Sequence, residues 1–122
     1  MTARVVVLAQ DLIWADRLAR AVEAAGADPV SVASSERFET TLAGSDAAIV
    51  DLTALAYDGV TAIERARTAG VRVLAVGQHD DHELRKRALT AGADRVYAYR
   101  KLFEDGPATI AAWLARPAGI EA

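Results

Sequence analysis

Five short apolar runs alternate with five helix-like stretches along the 122 residues, and that alternation restricts the fold more than any other feature. Val5-Val6-Val7-Leu8-Ala9 is almost unbroken and β-branched, the pattern of a strand covered on both faces. Asp11 to Ala25 then carries Trp14, Leu18 and Val22 on one stripe, and Gly26 supplies a stop. Pro29 to Ala33 alternates and opens on a proline, which suits an edge strand and not a central one. Ala47 to Asp51, Val71 to Val76 and Arg95 to Tyr99 are the remaining strands. Helices are expected from Ser34-Ser35, after Gly59, from Asp80 with Glu83 as a capping box, and with Pro107 in the first turn of the last.

Ala25-Gly26-Ala27-Asp28 recurs as Ala91-Gly92-Ala93-Asp94, and Ala69-Gly70-Val71 is a variant. Each is a helix stop followed at once by a strand, the short connection of a (βα)₅ chain. Alternating elements of these lengths predict a parallel sheet with right-handed crossovers and helices on both faces, and the flavodoxin-like strand order 2-1-3-4-5 is the one expected. One domain is expected over residues 1–116, with 117–122 as a C-terminal tail.

Composition narrows the function. The chain has no cysteine, which excludes disulfides, thiolate metal sites and a cysteine nucleophile. A net charge of −3 argues against direct nucleic-acid binding. No apolar run approaches the roughly 18 residues of a membrane span, and the first residues lead straight into a strand, so a cytoplasmic protein is expected. Arginine supplies 12 of the 14 basic residues, a usage that suggests a GC-rich bacterial genome. No glycine lies between Ala9 and Trp14, where a nucleotide-binding turn would need one. No serine sits in a nucleophile-elbow context, so no enzyme activity is expected. His79-Asp80-Asp81-His82 has some appearance of a metal motif, but capping and the helix dipole account for its acids.

In an open parallel sheet, ligands bind beyond the carboxyl ends of the strands. Asp51, a carboxylate ending an apolar strand, is the residue there that most invites chemistry. The run Ala48-Ile49-Val50-Asp51, with Asp58-Gly59 eight positions past the Asp, resembles the phospho-acceptor segment of bacterial response-regulator receiver domains. Gly26, Gly92-Ala93 and the element order fall where receivers place theirs, so the resemblance spans roughly residues 4 to 116.

The resemblance implies Asp51 as phosphoacceptor, and it also exposes departures. Receivers hold Mg²⁺ with two acids after the first strand; those positions are Ala9 and Gln10 here, with Asp11 next door. The switch hydroxyl after the fourth strand is replaced by Gly77. The Lys-Pro after the fifth strand falls on Tyr99-Arg100, or on Arg100-Lys101 or Lys101-Leu102 in a longer strand, so a cation at Arg100 or Lys101 is one expectation.

A degenerate or pseudo-receiver acting through protein contacts is therefore expected, with no cofactor, and Mg²⁺ only if the atypical site works. Its implied partners are a histidine kinase, an output domain or another signalling protein. A homodimer through the fourth helix, fifth strand and fifth helix would use Arg85, Arg95, Tyr97 and Arg100, and charge reversal at Arg85 and Arg95 is expected to spare the melting temperature. Two alternatives stand beside this reading: a phosphorylatable regulator with atypical ligands, and a flavodoxin-like small-ligand-binding protein with its ligand over Gly77.

Overall fold

A computed structural model describes residues 2–116; the expected tail, 117–122, lies outside the described residues. The order is β1 (Arg4–Leu8), α1 (Leu12–Ala24), β2 (Asp28–Val32), α2 (Ser35–Leu42), β3 (Ala47–Asp51), α3 (Gly59–Thr68), β4 (Arg72–Gly77), α4 (His82–Ala91), β5 (Arg95–Ala98) and α5 (Tyr99–Ala115). The strands form one parallel sheet in the order β2-β1-β3-β4-β5. The strand that carries Pro29 takes the edge, beginning one residue before the proline at Asp28.

Strand alternation divides the core in two. Val6, Leu8, Ala48, Val50, Val73 and Val96 pack with Phe38, Ile63 and Ala88 on the face covered by α2, α3 and α4. Val5, Val7, Ile49, Leu74 and Val76 pack with Leu18, Val22, Ile110 and Trp113 on the face covered by α1 and α5. Trp113 is core, and Trp14 is partly buried against the same cluster.

Three local expectations need correction. Asp81, one residue later than expected, caps α4 by accepting from the Leu84 amide at 3.1 Å; Glu83 lies in the first turn, but no capping box from Asp80 forms. β5 ends at Ala98, and Tyr99 already opens α5. That last helix also starts eight residues before Pro107. It breaks at Asp105 (φ −145°, ψ 31°), so Pro107 stands in the first turn of its second segment.

Two glycines are demanded by space and backbone. A Cβ on Gly59 would lie 3.2 Å from the Leu52 Cα, so any other residue there would have to push the start of α3 away from the end of β3 by a few tenths of an ångström. Gly92 ends α4 at φ +120°, in left-handed space, under the side chain of Arg67.

Candidate functional site

Asp51 ends β3 with only 2% of its surface exposed, and its Oδ1 gathers the donors of the site. The Thr53 amide donates at 3.0 Å and the Thr53 hydroxyl at 2.9 Å. The Tyr99 hydroxyl, arriving from the β5–α5 junction, donates to the same oxygen, and the Thr53 and Tyr99 hydroxyls also bond each other. Two hydroxyl protons thus serve three oxygen–oxygen contacts, a compact polar knot under the carboxyl ends of the strands. Trp14, from the first turn of α1, packs on the Tyr99 ring at 4.6 Å between centroids and 46° between planes.

The residues after β1 do other work. Ala9 is buried and presents a methyl group. The Gln10 Oε1 accepts from the Leu55 amide at 2.8 Å and the Ala56 amide at 3.1 Å, so a neutral side chain pins the β3–α3 loop to β1. Asp11 caps α1, its Oδ1 accepting from the Ile13 and Trp14 amides at 2.8 and 3.1 Å. Beneath the loop, the buried Tyr57 hydroxyl shares one proton between the Asp51 carbonyl at 2.7 Å and the Leu8 carbonyl at 3.1 Å. That bond ties the ends of β1 and β3 together.

Of the residues singled out from sequence, Asp51 and Gln10 are placed as the strand ends require. Gly77 ends β4 opposite Ala98, and the Leu52 side chain fills the space above it; a Cβ there would meet Leu52 at 3.5 Å, an ordinary contact. Arg100 and Lys101 do not supply a cation to Asp51. Both project from the first turn of α5 into exposed i,i+4 pairs, Arg100 with Glu104 at 3.3 Å and Lys101 with Asp105 at 3.7 Å. β5 stops one residue early, so the lysine position of the resemblance falls on Tyr99.

Sequence reasoning missed Thr53, Tyr57 and Tyr99. The first lysine alignment of the resemblance lands on Tyr99, where a cation is expected and the structure has a hydroxyl. The Arg85 Nη1 donates to the Val96 carbonyl at 2.8 Å on the outermost strand, so charge reversal there is expected to remove a structural bond and lower the melting temperature. Arg95 donates to the Asp94 carbonyl at 3.1 Å, and Tyr97 packs into the core cluster on the α1–α5 face.

Both phenols of the site are held well above the ordinary tyrosine value. Burial is the first cause at each; at Tyr99 the hydrogen bond to Asp51 comes next, and at Tyr57 the Asp51 charge. An unfolded tyrosine loses its proton near about pH 10, while the folded chain keeps both. Above that pH the unfolded state binds fewer protons, so this contribution is complete below about pH 10 and is lost as pH rises toward the folded values. The urea midpoint should therefore fall above about pH 10, and less steeply in a Tyr57→Phe/Tyr99→Phe variant. Equal slopes in the two proteins would count against it.

No family model matches the chain, and no curated protein matches it. Solved structures do. The receiver domain of DrrB in its BeF3-activated form matches with a TM-score of 0.83 at 16% identity, over 95% of this chain and 100% of the other. A two-component response regulator of the LuxR family from an Aurantimonas species gives 0.79 at 23%, over 94% and 86%. A response regulator receiver domain protein from Methanospirillum hungatei gives 0.73 at 19%, over 90% and 94%. The architecture is therefore the response-regulator receiver fold. Among the described residues no helix is long and apolar enough to cross a membrane.

Proposed function

We propose that this chain is a receiver-type signalling module that works through protein contacts, with phosphotransfer at Asp51 reduced or lost. The observation that carries the proposal is the Tyr99 hydroxyl seated on Oδ1 of Asp51, the oxygen to which Thr53 already donates twice. A phosphoryl group or a metal approaching Oδ1 has to displace the donors gathered there.

The donor set does not suit Mg²⁺. This ion takes hard oxygen ligands in near-octahedral geometry. Ala9 offers none, the Gln10 amide oxygen is spent on two backbone amides, and Asp11 has one carboxylate oxygen engaged in the α1 cap. The role a metal would have in anchoring the β3–α3 loop falls to Gln10, which asks for no counter-charge. Gly77 has no hydroxyl to be drawn toward a phosphoryl group, so a strand-to-surface relay through that position has no moving part. A ligand shifts an equilibrium only through contacts that differ between two states.

Partners on this reading are a kinase, an output domain or another signalling protein that recognises one constitutive surface. Trp14 touches Tyr99 and so reports on the site. Titration with Mg²⁺ to about 10 mM, a usual excess for weak carboxylate sites, should leave tryptophan fluorescence unchanged beyond an ionic-strength control. A saturable change lost in Asp51→Asn would favour the alternative, a phosphorylatable regulator using Asp11 as a substitute ligand.

A further inference from the structure

Three of the five large apolar side chains exposed among the described residues, Leu12, Ile13 and Phe103, line one groove between α1 and α5. Leu12 is 83% exposed, Ile13 69% and Phe103 57%, side chains that a monomer gains nothing by displaying together. The groove holds about 660 Å³, within the roughly 300–1,000 Å³ of small-molecule sites.

The charged residues that line the groove all come from α1: Asp16, Arg17 and Arg20. Asp16 and Arg20 close on each other, Nε of Arg20 lying 2.8 Å from Oδ2 of Asp16. Arg17 forms no ion pair among the described residues. Its guanidinium lies 4.4 Å from the Phe103 ring centre and 5.5 Å from that of Trp14. A guanidinium held against aromatic rings is already positioned, and its planar N–H fork matches a carboxylate. The groove thus carries one spare positive charge beside an apolar wall. A second copy of the chain would bring the same spare cation to this groove and no spare carboxylate to meet it.

We propose that the α1–α5 groove binds a small monocarboxylic acid with an apolar body. The carboxylate pairs with Arg17, and the body covers Leu12, Ile13 and Phe103. Arg17, already set by two rings, loses little freedom in that pairing. A cation of the same shape meets like charge, and a neutral molecule leaves the arginine fork unused. Arg17 lies against Trp14, and Trp14 packs on Tyr99, so the occupant sits two side chains away from the hydroxyl that donates to Asp51. The inference does not depend on the state of Asp51, and its failure would leave the phosphotransfer reading untouched.

The test is an amide-resolved NMR titration of the full chain with octanoate, 4-phenylbutyrate and octylammonium. The expected result is saturable shifts confined to α1 and the first half of α5, with a dissociation constant of about 1 mM or tighter for the better acid, which is modest for ligands of this size. Whichever acid binds more tightly tells whether the body is aliphatic or aromatic. Octylammonium should bind several-fold more weakly than octanoate, although the net charge of −3 favours a cation everywhere else on the chain. Arg17→Gln should abolish that preference. Phe103→Ala should weaken both acids several-fold while leaving the melting temperature within a few degrees, since the ring is mostly exposed. The proposal is overturned by an absence of saturable shifts, by shifts centred elsewhere, or by octylammonium binding as well as octanoate. It is equally overturned if the preference survives Arg17→Gln, or if groove signals move with protein concentration alone, which would put a second copy there.

Discussion

Asp94→Ala is expected to destabilise the fold by about 2–4 kcal/mol, while Asp28→Ala in the same tetrapeptide should cost less than about 0.5 kcal/mol. Both aspartates follow Ala-Gly-Ala, but they meet different surroundings. Asp94 Oδ2 accepts from the Trp113 indole at 3.0 Å and lies 3.4 Å from Nε of Arg72. That arginine side chain is only 13% exposed, donates to the Trp113 carbonyl at 2.7 Å and to the Arg116 carbonyl, and lies against the Trp113 ring. Removing Asp94 leaves a largely buried cation without its carboxylate and an indole N–H without an acceptor. Asp28 begins an edge strand with its side chain exposed. Urea unfolding of the two variants side by side decides the point, and equal losses would contradict the network.

Tyr99→Phe is expected to cost about 1–3 kcal/mol, the range for a hydrogen bond to a buried carboxyl group. The phenyl ring retains its packing on Trp14, so the loss isolates the hydroxyl. Thr53 remains as the donor to Oδ1, which keeps the cost below that of abandoning the carboxyl altogether. A variant as stable as the parent would show that the hydroxyl does not satisfy Asp51, and the occupied site would lose its main support.

How far the sequence could be read follows from which signals are local. Pro29 keeps β2 at an edge and the Val5 to Leu8 run places β1 inside, while the order of β3, β4 and β5 follows the flavodoxin-like pattern and no single residue. Asp11 and Ser34, which open stretches expected to be helical, cap α1 and α2, since capping depends on a side chain and the amides two or three residues ahead; Asp58 caps α3 although the sequence reading marks that start only by Gly59. Asp80 and Asp81 were confused because two adjacent carboxylates satisfy one pattern, and only the entry angle of the chain selects between them. The long-range contacts were not legible. Nothing in the sequence states that Tyr99 reaches across 48 residues to Asp51, or that Gln10 spends its amide on Leu55 and Ala56. Arg100 and Lys101 were misplaced by a single residue of strand length, enough to turn both out to solvent.

On the proposed reading Asp51, with its Oδ1 occupied by Thr53 and Tyr99, is not a working phosphoacceptor. Intact-mass measurement after incubation with acetyl phosphate and Mg²⁺ tests it most directly, with an active receiver treated in parallel. The expected result is an unchanged mass for this chain while the control gains about 80 Da, one phosphoryl group. A gain of that size here, abolished by Asp51→Asn, would contradict it.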